Sequence, residues 1–420
     1  MDPLRSILRN SSLLIAAQAV AIVIGMTVVV LLPRFLGDAE FGRLHLALSL
    51  AMMFGILVEF GLAQVLARAV ARERALARPY VRAAVPVYVG LAAVGYLALL
   101  AAVRLLGYPA RVRDLVTILG IVTVAEALSQ ILGALFQAHE RMLIPALARI
   151  AGNAFTLAAV TPLLTHGYGA SAVAVVLALS VVLRVAIQAA GLPRLDGYRR
   201  RDPGTTASWR GLAVAGVPFV IWQGLGILYF RMDVLMLGRL ATDATIGWYG
   251  AATRLMDALN FVPQLVTMAA FPVVARLWVS SPAQFRDTVR KTLHLLLAVT
   301  APVTAGLITL APEIVDLLFT LEGFGPSVPI LRIHALTLGL LFVDYLLVGV
   351  IMAVGRERRW IAIAGAACLL SPALHLLLIP ATATRLGNGG VGAAVGTCLV
   401  EVFIMTSALR LLPAGTLGRE

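Results

Sequence analysis

The chain has 420 residues, of which 60% are apolar and only 13% charged, and its mean hydropathy is +0.94. Soluble domains carry roughly 25% charged residues, so this balance excludes an ordinary water-soluble core and the two or three soluble domains that the length alone would suggest. The net charge of +13 is almost wholly arginine, with Lys291 the single lysine; the arginines fall in short clusters between apolar runs and form no continuous basic face for a nucleic acid.

The N-terminal MDPLRSILRNSS leads into an apolar run reaching about Leu32. That run is too long for a signal-peptide core and lacks a small-residue cleavage site, so it reads as the first span. Apolar segments recur from there to the end and predict twelve transmembrane helices, near 8–32, 41–67, 83–106, 113–138, 143–165, 169–192, 211–238, 244–275, 287–310, 328–354, 359–380 and 389–412. Each is close to or beyond the ~20 residues that cross a bilayer. Pro312–Phe319 is short and amphipathic and reads as an interfacial turn of helix on the outer face. Cys368 and Cys398 lie inside apolar stretches, with no CxxC and no Cys/His metal spacing, so no disulfide framework, metal site or cofactor is expected.

Arginine placement sets the orientation. With Arg5 and Arg9 in the cytoplasm, the even-numbered junctions share that side. They carry Arg68, Arg72, Arg74, Arg78 and Arg82, then Arg141, then Arg194 with Arg199–Arg201, then Arg276, Arg286, Arg290 and Lys291, then Arg356, Arg358 and Arg359, then Arg410 and Arg419. The opposite loops carry Asp38, Glu40, Asp243, Glu313 and Glu322, alongside exceptions such as Arg34, Arg111 and Arg385. The bias predicts both termini inside.

The longest polar insert, Pro193–Arg210, falls near the midpoint and predicts a cytoplasmic linker (193–210) between an N-terminal lobe, 1–192, and a C-terminal lobe, 211–420. Internal similarity supports this division. Val65-Leu66-Ala67-Arg68 resembles Val273-Val274-Ala275-Arg276, and Leu36-Gly37 followed by Phe41-Gly42 resembles Leu237-Gly238 followed by Ile246-Gly247. Repeats of six spans keep one orientation, which makes them parallel repeats of the kind found in transporters, with a site between the halves.

The segment PRFLGDAEFGRLHLALSLAMMFGILVEFGLAQVLARAVAR carries an Arg-x-Leu-Gly, an aromatic-Gly pair, a Gly-Leu and a closing Arg. The second half repeats it loosely as FRMDVLMLGRLATDATIGWYGAATRLMDAL and FPVVAR, and LLFTLEGFGPSVPILRIHAL with GVIMAVGRERRW follows. In this order the motifs resemble the polysaccharide-export (repeat-unit) flippases of the multidrug/oligosaccharidyl-lipid/polysaccharide superfamily. The resemblance covers essentially the whole chain. It implies an all-α integral membrane fold, MATE-like, with twelve helices in two parallel six-helix lobes around a central cavity lined mainly by spans 1, 2, 7 and 8. It also implies flipping of a polyprenyl-diphosphate-linked glycan across a bacterial inner membrane for surface polysaccharide biosynthesis. Membrane lipids, a coupling ion (H⁺ or Na⁺) and polymerase or assembly proteins would be its partners.

Charges inside the spans are Glu59, Glu126, Arg184, Arg231, Asp233, Arg254, Asp257, Asp344 and Glu401. Each costs roughly 2.5–3.5 kcal/mol at the bilayer centre on insertion scales, so most must face a partner or a wet cavity. Arg254 and Asp257 share a helix face at i,i+3; they pair with each other or cross-pair as Arg231–Asp257 and Asp233–Arg254. One reading is a structural ion-pair clasp. The other has Arg231 or Arg254 meeting the substrate's diphosphate, to which a guanidinium fork is matched, with Glu59, Asp233 and Asp257 in the same cavity. Glu59 either relays an ion or neutralises an arginine. Glu126 and Arg184 correspond by position to Asp344 and Glu401, which marks Asp344, Glu401 and Glu126 as structural network members or ion-coupling candidates. Arg68 and Arg276 close the equivalent spans 2 and 8, either capturing an anionic lipid head group or simply anchoring the cytoplasmic face. Gly224, Gly226, Pro263 and Pro272 are candidate hinges. His166 and His375 have no catalytic partner, and no outer loop is long enough to house an enzyme's acid/base carboxylates. Transport is therefore expected rather than catalysis. A drug/cation antiporter of the same fold would prefer an arginine-free acidic cavity, and a peptidoglycan lipid-precursor flippase would carry extra spans.

Overall fold

A computed structural model describes residues 3–74, 77–195 and 209–417, and no strand occurs among them. Helices are what a lipid-embedded chain must form, since the backbone has no water to bond and has to satisfy itself. Two compact units emerge: Met1–Leu36 with Arg43–Ile227, and Gly37–Gly42 with Leu228–Glu420. Most of the expected 193–210 linker, residues 196–208, lies outside the described residues.

The first unit begins with α1 (Pro3–Glu59), a 57-residue run that holds the first two expected spans and turns at Gly37, φ 72 and ψ 173. Only glycine takes that conformation without strain. A second break, at Phe60 (φ 45) and Gly61 (φ 66), separates α1 from α2 (Leu62–Arg72). Then come α3 (Ala77–Leu105), α4 (Ala110–Ala138), α5 (Leu143–Thr165), α6 (Ala170–Gly191), a 3-10 turn at Leu192–Arg194, and the first part of α7 (Trp209–Leu240). The second unit takes the rest of α7, α8 (Asp243–Leu259), α9 (Phe261–Ser280), α10 (Pro282–Thr309), α11 (Ala311–Phe319), α12 (Leu321–Phe324), α13 (Ser327–Ala353), α14 (Glu357–Leu386) and α15 (Gly389–Leu411).

Eleven helical runs are long and apolar enough to cross a membrane, and the first, Val23–Arg72, has 50 residues. At ~20 residues per crossing that run is long enough to cross twice, so the described residues hold eleven or twelve spans and the chain is a multi-pass membrane protein. The short amphipathic segment forms its own helix, α11. Two spans drawn as single helices are in fact interrupted. The second breaks at Phe60–Gly61, and the eighth at Asn260, where Pro263 has no N–H for the Leu259 carbonyl. By contrast, α7 runs unbroken through Gly224 and Gly226.

Within each unit the fourth and sixth spans pack together, α4 on α6 and α13 on α15. Small residues permit close approach between membrane helices. A β-carbon at Gly392 on α15, for instance, would lie 2.2 Å from the Leu378 carbonyl oxygen of α14. Segment Gly37–Gly42 belongs to the second unit by similar means. A β-carbon on Gly42 would sit 1.8 Å from the Asp243 oxygen, and one on Gly247 2.0 Å from the Asp38 oxygen. Phe41 meets Phe324 edge-on at 6.3 Å. Trp248 Nε1 donates to both Asp38 Oδ2 and the Gly323 carbonyl, each at 3.0 Å. Trp248→Phe removes both bonds and keeps an aromatic ring, so it should cost about 1–3 kcal/mol. Thermal unfolding in detergent reads this directly, and an unchanged midpoint would show that the two bonds contribute nothing net.

Candidate functional site

The first unit contains a polar cavity of about 490 Å³ whose walls come from the break after α1 and from α2, α4, α5, α6 and α7. A second, largely apolar chamber of about 410 Å³ adjoins it, and the two share Glu59, Glu126, Gln130 and Arg184. Arginine and amide side chains therefore border a space inside an otherwise apolar bundle.

Arg184 on α6 forks onto Glu126 of α4. Its Nη1 donates to Oε1 at 3.3 Å and its Nη2 to Oε2. Glycine at 152 on α5 makes room for this fork, because a β-carbon there would lie 2.6 Å from Arg184 Cγ. Glu59 is the last residue of α1, where a negative charge meets the negative end of the helix dipole, so helix stability alone does not favour it. Gln64 Nε2 reaches back across the Phe60–Gly61 break to Glu59 Oε1 at 3.3 Å, while its own Oε1 is buried with no hydrogen-bond partner. Ser129 Oγ donates to Gln188 Oε1 at 3.0 Å. Arg68 is exposed and lays its guanidinium over the Phe219 ring, 5.1 Å from the centroid, a cation–π contact. Arg149 on α5 completes the basic lining.

The second unit holds its own polar cluster. Arg231 pairs with Asp257, Nη2 to Oδ2 at 3.3 Å. The alternative partner for Asp233 is not Arg254: the buried carboxylate accepts the hydroxyl of fully buried Tyr249, and the Val234 N–H at 2.7 Å. Tyr249, five residues before Arg254 on α8 and fully buried, takes the bond instead. The Tyr249 hydroxyl is also 3.5 Å from Thr397 Oγ1, which is 3.4 Å from His375 Nε2. Glu401 on α15 accepts the Tyr229 hydroxyl and lies within hydrogen-bonding reach of Asp344 on α13, whose buried carboxyl oxygens receive no hydrogen bond from a donor group. Arg276 is exposed on α9.

Of the residues expected from sequence, Glu59, Arg68 and Glu126 thus border the cavity of the first unit. Arg231, Asp233, Arg254, Asp257, Arg276, Asp344 and Glu401 belong to the second. Sequence reasoning passed over Arg149, Gln64, Gln130, Gln137, Gln188, Tyr229 and Tyr249. Only Arg149 is a charge inside a span; the amides signal themselves by recurring on polar stripes. Among the described residues no group of three or more His, Cys, Asp or Glu is placed to hold a metal ion.

Several solved structures share this fold. An inward-facing multidrug resistance MATE family transporter of the MOP superfamily is 15% identical, with TM-score 0.72 over 95% of this chain and 98% of that one. The lipid II flippase MurJ in an inward closed conformation is 14% identical, with TM-score 0.75 over 96% and 89%. A MOP superfamily transporter from Pyrococcus furiosus, described as having a binding pocket of reverse polarity, is 15% identical, with TM-score 0.61 over 95% of each chain. At these identities the likeness is one of fold. None of the curated proteins matches the chain. A family model described as "Polysaccharide biosynthesis protein" matches residues 7–278. With most of its length under that match and the two-unit helical architecture in place, the chain belongs to the polysaccharide biosynthesis protein family of multi-pass membrane proteins.

Proposed function

We propose that the protein flips lipid-diphosphate-linked oligosaccharide units across a bacterial cytoplasmic membrane for surface polysaccharide biosynthesis, by alternating access and without covalent chemistry. The observation that carries this reading is the cavity of the first unit, where Arg68, Arg149 and Arg184 stand beside amides inside a membrane bundle. A charge held among membrane helices is expensive unless it faces a partner or a wet cavity, and arginine is matched to phosphate by its planar fork. A drug/cation antiporter has no use for such a lining.

In this reading Arg68 and Arg276 draw the anionic head group in from the cytoplasmic leaflet, and both termini lie on that side. Arg254 meets the diphosphate in the second unit, where it makes no ion-pair contact of its own. Arg231 is held by Asp257, and Glu59, Asp233 and Asp257 balance the charge. Because Arg184 neutralises Glu126, ion coupling falls to Asp344 and Glu401. Asp344 has two oxygens that lack a donor, the arrangement a proton or small cation completes.

Arg149→Ala and Arg254→Ala should each abolish surface polysaccharide at normal protein level. In reconstituted vesicles, each should slow translocation of a fluorescent undecaprenyl-diphosphate-linked sugar at least tenfold. Normal polysaccharide from both variants would sink the diphosphate role. Asp344→Asn should leave basal translocation intact but remove its stimulation by a proton or sodium gradient; retained stimulation would reassign the coupling site.

A further inference from the structure

The proposed function gives a role to the polar cavity of the first unit but none to the apolar chamber beside it. That chamber, of about 410 Å³, is bounded by α1, α4, α5, α6 and Ile227 of α7. Its volume falls in the roughly 300–1,000 Å³ range of small-molecule sites. Packed interiors leave few voids larger than a water molecule, so a space of this size is a built feature. Gly25, Ala51 and Gly55 help to keep it open, and side chains such as Leu48, Val122 and Leu177 form its wall.

The polar residues in that wall are turned away from a ligand. Thr123 Oγ1 donates to the Leu119 carbonyl at 3.0 Å, Thr156 Oγ1 to the Gly152 carbonyl at 3.0 Å, and Ser180 Oγ to the Leu177 carbonyl at 2.8 Å. Each hydroxyl donor is thus committed to its own helix. Asn153 Nδ2 donates to the Ala21 carbonyl at 2.8 Å and ties α5 to α1. What remains facing the space is mostly hydrocarbon, and a polar group placed there would lose hydrogen bonds that the wall does not return.

Two features specify which hydrocarbon fits. At one end the chamber shares Glu59, Glu126, Gln130 and Arg184 with the arginine-lined cavity. A molecule with its phosphates beside Arg68 and Arg149 therefore has its next atoms at the chamber's entrance. At the rim stands Met52, which is 44% exposed, so a chain longer than the chamber can leave there. In a glycerophospholipid, a glycerol and two esters separate phosphate from hydrocarbon, and the ester oxygens would meet hydroxyl donors already committed. In a polyprenyl diphosphate the hydrocarbon begins directly at the phosphate.

We infer that the apolar chamber is a polyprenyl subsite, which takes up the first isoprene units of the carrier lipid while the diphosphate occupies the adjoining cavity. This rests on the flippase reading and adds to it a means of telling the carrier from ordinary phospholipid.

The test uses the full chain in phosphatidylcholine nanodiscs, with protein-free discs subtracted, and two soluble probes, inorganic diphosphate and geranyl diphosphate. Burying two methylene groups is already worth about tenfold in affinity, so wild type should bind geranyl diphosphate at least about tenfold tighter than inorganic diphosphate. Val122→Trp, which fills the chamber, should erase that increment while inorganic diphosphate, which does not enter it, keeps its affinity. Should that variant fail to insert, Leu177→Ala removes wall contacts and should lower the increment about threefold or more. Discs doped with phosphatidylglycerol should leave the ratio of the two affinities unchanged. Equal wild-type binding of the two probes, an increment that survives both substitutions, or an increment abolished by phosphatidylglycerol overturns the polyprenyl subsite and leaves the flippase reading standing. No binding of either probe by wild type overturns both.

Discussion

Arg184→Ala is expected to destabilise the first unit by about 3 kcal/mol, the lower end of the range for removing one partner of a buried ion pair. The lower end applies because the two side chains are unequally sheltered, Arg184 18% exposed and Glu126 37%. The loss has three sources: the bidentate fork, the Glu126 charge left without its cation, and the space opened beside Gly152. Neutralising both partners, as Glu126→Gln with Arg184→Gln, should recover most of the stability, since a hydrophilic pair without charge needs no counterion. Thermal unfolding in detergent separates the structural from the functional role. If the double variant is stable yet fails to translocate lipid-linked sugar, the pair serves the substrate as well. If Arg184→Ala unfolds at the wild-type temperature, the pair is not structural and Arg184 is available to the ligand.

The fold was largely legible because in lipid the length and spacing of apolar runs determine the elements almost alone. The arginine clusters and the order of the Gly-containing motifs pointed to a division into two halves. The fourth and sixth spans of each unit carry the facing pair, Glu126 with Arg184 in one and Asp344 beside Glu401 in the other. What sequence left open was pairing, since Arg231, Asp233, Arg254 and Asp257 allow several partitions. The one adopted depends on Tyr249, an aromatic that reads as packing until its hydroxyl is placed. The glutamines escaped notice for a related reason. Uncharged amides do not stand out against a hydropathy trace, and their significance lies in converging from three helices on one cavity. The interruption of the second span was not legible, because it depends on Phe60, a residue type that rarely takes positive φ.

That break leads to the second large effect. Gly216→Ala should displace α2 and abolish transport, at a cost of several kcal/mol. Its β-carbon would lie 2.3 Å from the Phe60 carbonyl oxygen and 2.9 Å from Phe60 Cδ1, with backbone on one side and a packed ring on the other. Gly61→Ala meets the same wall from the opposite direction, 2.5 Å from Phe219 Cβ, and adds an unfavourable φ of 66. Both changes should cost the Gln64–Glu59 bond and the Arg68–Phe219 contact together, because α2 carries Gln64 and Arg68 on one short rigid helix. The strain itself can be measured without a clash. Phe60→Gly and Phe60→Ala remove the same ring, yet only alanine retains a β-carbon in the left-handed region, which costs roughly 1–2 kcal/mol. The glycine variant should therefore be the more stable of the two by about 1 kcal/mol, reversing the usual order for a helical position, where glycine is worse by roughly that amount. Alanine being the more stable would mean that residue 60 sits in an ordinary helical conformation and that the second span is not broken there.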